Sequence, residues 1–258
     1  MIRRSLVSLA IPALLALTGA VAVGGELHVT ETAAYTGTWG LEVRITDGSG
    51  AWVEDDHPSG TIRYRARVYV NTDALTLPDG TAAPILVAYD AGGNGVAWLE
   101  LGASGGAVGV TGYSVDGGGT AATPSVSLHT GWQAVEFAWT GGSGDGSLEL
   151  YLDGVLEGSA AGLDTGSALV STVRLGAPQG VPTGAAGSLV FDCFDSSPYA
   201  ALGLAGDADG DGDVDSADLP ALSTGLAGGE LLPPGADVNC DGSFDAADLA
   251  ALIRFLQQ

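Results

Sequence analysis

The chain has 258 residues, of which 42 are glycine, and its formal net charge is −23. This charge argues against nucleic acid and anionic membrane surfaces as partners, since both would repel it, and favours divalent cations. The length fits two modules or one large β-sandwich, and the glycine content disfavours long helices.

Residues 1–22 predict a secretory signal peptide. Arg3 and Arg4 form a positive n-region, residues 5–17 an apolar core and residues 20–22 an A-x-A cleavage site. The apolar run is short for a bilayer span, and an uncleaved membrane anchor is the alternative. No second apolar run of that length follows. We therefore expect a mature protein that is secreted or displayed at the cell surface, without a membrane span.

Residues 26–198 alternate apolar and polar side chains in short runs, separated by clusters of Gly, Asp, Asn, Ser and Pro. The predicted strands are 41–46, 51–55, 61–70, 84–89, 95–101, 107–115, 132–140, 147–154, 155–160, 171–177 and 187–195. Asp153-Gly154 predicts a hairpin turn, because both positions of a type I′ turn need a positive φ. The pattern indicates a mainly β fold, an antiparallel two-sheet jelly-roll sandwich.

A linker is expected at residues 199–206, since a helical period of leucines first appears in the segment that follows it, residues 207–258. This segment is an internal repeat: residues 207–226 and 237–256 are identical at 10 of 20 positions. The repeat predicts two copies of one loop-plus-helix unit, a small α-helical module after the sandwich.

Each copy fits a twelve-residue calcium loop, with oxygen-bearing side chains at alternate positions, glycine at position 6 and an acid at position 12. Ca²⁺ takes six to eight hard oxygen ligands, which such a loop can supply, and an acid at a helix start is favoured by the helix dipole. A flexible acidic tail is the alternative. The predicted ligands of two calcium ions are Asp207, Asp209, Asp211, Asp213, Asp215 and Asp218, and Asp237, Asn239, Asp241, Ser243, Asp245 and Asp248. Asp213, at position 7, is expected to contribute its backbone carbonyl, and Ser243 is the matching residue of the second loop.

With these loops, residues 206–258 resemble a type I dockerin, an EF-hand-like module that binds calcium and docks into cohesin domains. The resemblance implies a cohesin-type partner. Dockerins that bind cohesins usually carry hydroxyl residues at loop positions 10 and 11 and basic residues at positions 17 and 18. Of the corresponding residues in this chain, Ser216 and Arg254 clearly match, and they are the predicted partner-binding residues.

The body of the chain resembles a laminin-G-like, concanavalin-A-like jelly roll, more loosely than the tail resembles a dockerin. The stretches that carry this resemblance are 40–45, 64–70, 131–139, 148–154, 173–177 and 187–196. Such folds often bind glycans or mediate adhesion, so the resemblance implies a polysaccharide as a second kind of partner.

No catalytic residue is predicted. Glu136 and Glu149 lie on strands that could be neighbours, but the sequence has no E-x-D-x-x-E run of the kind that sandwich glycosidases carry. The acidic run 54–56 is expected in a solvated loop beside His57. Trp132 and Trp139 are seven residues apart on one strand, so they must face opposite sides of the sheet.

Cys193 and Cys240 are the only cysteines. In an exported chain they could form a disulfide that joins the two modules, or they could remain separate thiols.

These patterns predict an exported, non-catalytic recognition or structural protein with a calcium-binding docking module. A carbohydrate-active enzyme delivered by its dockerin, a glycoside hydrolase or a lyase, is one alternative. A structural coat or matrix protein is another.

Overall fold

A computed structural model describes residues 25–198, 202–228 and 232–257 of the protein. The predicted signal peptide and part of the predicted linker lie outside these residues. Within them, no helix is both long and apolar enough to cross a membrane.

Within the described ranges, fifteen strands make up the first module and two α-helices follow in the second. The strands are β1 Glu26–Thr30, β2 Gly40–Ile45, β3 Ala51–Thr61, β4 Arg63–Asn71, β5 Leu75–Thr76, β6 Ala82–Tyr89, β7 Gly95–Ser104, β8 Ala107–Asp116, β9 Gly119–Ala122, β10 Val126–Ser127, β11 Trp132–Thr140, β12 Ser143–Leu152, β13 Val155–Asp164, β14 Val170–Ala177 and β15 Ala186–Ser197. The helices are α1 Asp218–Gly228 and α2 Ala246–Phe255.

The strands form two antiparallel sheets. The first sheet has the order β1-β2-β15-β4-β11-β12-β13, with β5 paired to β15, and the second has the order β10-β8-β7-β6-β14-β3, with β9 paired to β8. The chain crosses repeatedly between the sheets, so neighbouring strands are often distant in sequence. The prediction of a mainly β fold with two antiparallel sheets is confirmed.

The core lies between the two sheets and is built from alternate residues of each strand. On β11, Val135, Phe137 and Trp139 point into it and are fully buried. The Trp139 indole nitrogen donates a hydrogen bond of 3.0 Å to the Ser114 hydroxyl of the facing sheet, which satisfies the one polar group of this large side chain. Trp132, on the same strand, faces the opposite side, as its spacing predicts.

All eleven predicted strands are present, and four further strands were missed. β5 and β10 have two residues each and β9 has four, too few to show a periodic pattern. β1 is a polar edge strand that pairs with β2 alone.

The expectation of a loop at residues 54–56 is wrong. These acids lie in β3, an edge strand, where Glu54, Asp55 and Asp56 pair with β14. Glu54 is exposed on this strand and forms an ion pair with the Arg174 side chain of β14 at 2.6 Å. Its outward position and its oppositely charged partner on the neighbouring strand let a strand accommodate this acid.

Candidate metal centre

Asp218, the first residue of α1, is the hydrogen-bonding centre of the first loop. Its Oδ1 accepts from the backbone N–H groups of Ala208, at 2.7 Å, and Asp209, at 3.1 Å, and its Oδ2 accepts from that of Asp215, at 2.8 Å. The carboxylate is buried and lies at a helix start, where the dipole stabilises a negative charge. One side chain therefore ties both ends of the loop to the helix.

Asp248 repeats this arrangement thirty residues later. Its Oδ1 accepts from the N–H groups of Val238, at 2.8 Å, and Asn239, at 3.2 Å, and its Oδ2 accepts from that of Asp245, at 2.8 Å. These three donors are the sequence equivalents of those in the first loop. Asp245 also caps α2, through a reciprocal bond pair with Asp248. The two loops therefore have the same pattern of hydrogen bonds, each around its own carboxylate.

The residue at position 1 closes each loop from the other side. Asp207 accepts from the N–H groups of Gly210, at 2.7 Å, and Gly212, at 3.2 Å. Asp237 accepts from those of Asp241, at 3.0 Å, and Gly242, at 2.8 Å. The position-6 glycines have φ of +100° and +81°, in the left-handed region that side chains disfavour, which is the physical reason for glycine there.

The carboxylates of the predicted ligands in the first loop form two groups. Carboxylate oxygens of Asp207, Asp209 and Asp211 lie within 4.8 Å of one another, and those of Asp213, Asp215 and Asp218 do so as well. All of the donor atoms are hard oxygens, which fits Ca²⁺ and not a soft metal.

In the second loop, the predicted ligands Asp241 and Asn239 are in contact: the Asn239 amide donates to an Asp241 carboxylate oxygen at 3.0 Å. The accepting oxygen belongs to a predicted calcium ligand, so we expect binding of the ion to displace the Asn239 amide from it. Ser243 and Asp245 are exposed at the loop rim. The second loop thus offers fewer carboxylates than the first, with Asn239 and Ser243 in place of two acids.

Burial and crowding disfavour ionisation of these acids in the absence of metal. Burial raises the pKa of Asp207 and Asp248, and it raises the pKa of Asp237 to about 6. Repulsion from Asp211 raises the pKa of Asp213, which is fully exposed. A bound cation would lower the pKa of these carboxyl groups, because it favours their charged form.

Calcium binding to the second loop is therefore expected to weaken as the pH falls through about 6, the pKa of Asp237, because the ion must then displace a proton. The metal-free loop has the opposite pH dependence. Its raised pKa means that the folded form gains stability as the pH falls from above this value toward the unfolded pKa of about 4. Calcium affinity measured between pH 5 and 8 checks this, and an affinity that stays constant over the range would contradict it.

The two helices pack on each other through the leucines that gave them a helical period. Leu222 of α1 and Leu252 of α2 are fully buried, together with Ala208 and Val238 from the two loops. Gly225, which by propensity weakens α1, lies where the Leu232 side chain packs directly against the helix. The loops and helices thus share one small core.

The module is attached to the first sheet of the sandwich by a disulfide between Cys193 of β15 and Cys240. The Cα atoms of the two cysteines are 5.2 Å apart. Cys240 is at position 4 of the second loop and has φ +56°, where the first loop has Gly210 at φ +79°. A cysteine at a position that favours glycine indicates that its role is the crosslink.

Aromatic contacts extend this attachment. The rings of Tyr35 and Tyr69 stack with their centroids 4.2 Å apart, and Phe255 of α2 meets Tyr35 edge-on at 6.1 Å. The Tyr69 hydroxyl accepts from the Ala205 N–H at 3.1 Å. Trp132 packs against the same cluster. These contacts were missed from sequence, where the only signal was an aromatic residue on the outward side of β4 and of β11.

The two predicted partner-binding residues face solvent. Ser216 lies at the end of the first loop and Arg254 lies on α2, and both are exposed. The other residues at positions 17 and 18 of the two repeats, Ser223, Thr224 and Ile253, are exposed as well. The sandwich thus leaves the outer faces of both helices accessible.

The carboxylates considered for catalysis lie on the outer side of the first sheet. Glu136 and Glu149 are on adjacent strands, β11 and β12, as expected. Glu136 is buried and ion-paired with Arg65, and Glu149 accepts a bond of 2.6 Å from the Tyr151 hydroxyl. Burial raises the pKa of Glu136 despite this ion pair.

Comparison with known families identifies the second module. Residues 205–257 match the family model of the dockerin type I domain. Dockerin domains generally bind calcium, and they bind cohesins. The chain is therefore a dockerin-bearing protein with a β-sandwich body. No curated protein matches its sequence.

Solved structures similar to the chain are β-sandwich proteins. The cellulose-induced protein Cip1 is 18% identical with a TM-score of 0.48, and the match covers 68% of this chain and 86% of Cip1. A structure of botulinum neurotoxin type C, whose cell entry depends upon interaction with two ganglioside molecules, is 6% identical with a TM-score of 0.50. That match covers 69% of this chain and 42% of the toxin chain, so this chain spans less than half of it. At these identities the likeness concerns the fold alone.

Proposed function

We propose that this is an exported, non-catalytic protein in which a β-sandwich recognition domain, residues 26–198, carries a docking module, residues 207–258, that binds two calcium ions. The observation that supports two ions is the repeated pattern of hydrogen bonds around Asp218 and Asp248, in which equivalent backbone groups are held by equivalent carboxylate oxygens. The disulfide is in keeping with export, because such bonds persist in oxidising compartments.

Isothermal titration of the full chain with CaCl₂, after removal of metal with a chelator, tests this proposal. We expect two ions per chain and a rise in thermal stability with calcium, since an ion that binds only the folded module stabilises it by mass action. A stoichiometry of one or none, or a melting temperature unchanged by saturating calcium, would refute the two-ion module. Mg²⁺ at equal concentration serves as the control, because it tolerates the large coordination shell of such loops less well.

The partner of the docking module is proposed to be a cohesin-type domain that contacts the exposed outer faces of α1 and α2, including Ser216 and Arg254. We expect the double variant Ser216→Arg/Arg254→Glu to weaken binding to a type I cohesin domain at least tenfold while leaving the calcium stoichiometry unchanged. Surface plasmon resonance in calcium, with the exposed Asp79→Ala on the sandwich as a control, measures this effect.

A structural role for the module is the second candidate, and the attachment to the sandwich favours it. The disulfide and the contact of Phe255 of α2 with Tyr35 hold the module as a rigid end of the sandwich and not as a freely tethered domain. The two candidates differ in the cohesin experiment: a structural end-piece would bind calcium with two ions and would bind no cohesin domain.

A further inference from the structure

The outward side of the second sheet carries a row of aromatic side chains that the calcium module does not explain. The register places Tyr113 of β8 opposite Trp98 of β7, Trp98 opposite Val87 of β6, Val87 opposite Arg174 of β14, and Arg174 opposite Glu54 of β3. Their chain neighbours, including Leu86, Ala97, Leu99, Val173 and Leu175, belong to the core between the sheets. Because side chains alternate along a strand, the row points away from the core.

Contacts within this row hold the rings in place. The Arg174 guanidinium carbon lies 4.8 Å from the ring centroids of both Trp52 and Tyr89, so the cation is sandwiched between two aromatic faces. Its Nε donates to Glu54 at 2.6 Å. Trp98 and Tyr113 stack with their centroids 5.3 Å apart and an angle of 8° between their planes. We name Trp52, Tyr89, Trp98, Tyr113 and Arg174 the aromatic row.

The aromatic row crosses five neighbouring strands, and at about 4.8 Å per strand it extends over about 19 Å. Trp52, Trp98 and Tyr113 are partly exposed. The calcium module packs against Tyr35, Tyr69 and Trp132, which belong to the other side of the sandwich. In the described part of the chain, then, the tail does not occupy the aromatic row.

The charges around the row select the kind of ligand. Glu54, Asp56 and Glu100 carry carboxylates on this face, and the only cation of the row, Arg174, is already paired with Glu54. An anionic ligand would meet net negative charge here and on the whole chain. An uncharged polyhydroxylated chain would instead lay its C–H faces on the negatively polarised ring faces and donate hydroxyl hydrogens to the carboxylates.

We propose that the aromatic row is a binding platform for a neutral polysaccharide. The proposal rests on the part of the proposed function that makes the sandwich a recognition domain, and it is independent of calcium and of any cohesin. Trp52 and Trp98 supply stacking surface on the parts of their rings that Arg174 and Tyr113 do not cover. Glu100, which is hydrogen-bonded to Tyr113, supplies its remaining acceptor capacity to the ligand hydroxyls.

Affinity gel electrophoresis of the full chain tests this proposal. The probes are three neutral polysaccharides, hydroxyethyl cellulose, xyloglucan and galactomannan, and two acidic ones, alginate and polygalacturonate. We expect retardation by at least one neutral polysaccharide and by neither acidic one. Retardation by no neutral polysaccharide, or stronger retardation by an acidic one, would overturn the proposal.

Variants locate the surface. Trp52→Leu and Trp98→Leu keep an apolar side chain on the strand but remove the ring, and each should weaken the retardation about tenfold, the size expected for loss of one stacking contact. Trp39→Leu is the matched control, because Trp39 is exposed and precedes β2 of the first sheet. Unchanged binding in both row variants, or an equal loss in the control, would show that the ligand binds elsewhere.

Two further measurements separate a binding role from a purely structural one. If a leucine variant fails to fold, Trp98→Phe and Glu100→Gln replace it, and Glu100→Gln should still weaken binding. Calcium titration of each variant must give the wild-type stoichiometry, so that failure of the calcium module is not mistaken for failure of the aromatic row. If the row serves only to join strands, all variants will lower the melting temperature and none will lower the affinity for polysaccharide.

Discussion

Replacing Asp218 by alanine is expected to abolish one of the two calcium sites and to unfold the first loop. The substitution leaves the N–H groups of Ala208, Asp209 and Asp215 without their acceptor and removes a proposed ligand. Hydrogen bonds to a charged acceptor contribute about 1.5–3 kcal/mol each, so we expect a loss of about 3 kcal/mol or more in the stability of the calcium-bound module. If the loss falls on the calcium-bound form alone, it corresponds to at least a 100-fold weaker site.

Calorimetric titration of the Asp218→Ala chain should give one calcium ion, and the equivalent change Asp248→Ala should give the same result for the other loop. The control is Asp213→Ala in the first loop. Asp213 is fully exposed, and although its carboxylate lies near those of Asp215 and Asp218, position 7 of such a loop contributes its backbone carbonyl, so we expect the Asp213 side chain to be dispensable. If the control loses a site as readily as Asp218→Ala does, the loss reflects total charge, and the central role of Asp218 is refuted.

Removal of the disulfide is expected to have the second large effect, on the attachment of the module and on the second calcium site. The bond closes a segment with a sequence separation of 47, for which chain entropy predicts a stabilisation of up to about 4 kcal/mol. Cys240 lies between the proposed ligands Asn239 and Asp241, so the bond also holds the second loop in position before calcium arrives. We expect a lower melting temperature for the module and an approximately tenfold weaker second site.

Two variants separate the crosslink from backbone strain. Cys193→Ala/Cys240→Ser removes the bond and keeps a side chain at a left-handed position, whereas Cys193→Ala/Cys240→Gly removes the bond and gives the second loop the residue type that the first loop has there. Both should lose the attachment, and the glycine variant should recover part of the loop stability. Differential scanning calorimetry with and without calcium measures both effects. A wild-type melting temperature and a wild-type calcium affinity in the glycine variant would show that the disulfide does not stabilise the module or the second site.

Local patterns in the sequence were sufficient for the parts of the structure that depend on neighbouring residues. Alternation located the eleven strands of six or more residues, and strands of two to four residues escaped because no period can develop in them. The five-residue edge strand β1 escaped as well. The Leu222 and Leu252 positions follow from helical period alone. The acids of β3 were misplaced in a loop because their partner, Arg174, is 120 residues away in sequence from Glu54.

The two loop-plus-helix units could be read from local sequence alone, since the predicted calcium ligands of each loop lie within twelve consecutive residues and glycine marks the position of positive φ. The way in which the two modules are joined, and the set of aromatic residues that share a face, became visible only in the folded chain. The pairing of Cys193 with Cys240, the stacking of Tyr35 on Tyr69 and the alignment of Trp98 with Tyr113, Arg174 and Trp52 depend on strand order and register. Those are set by burial of the whole core, which no single stretch of sequence contains.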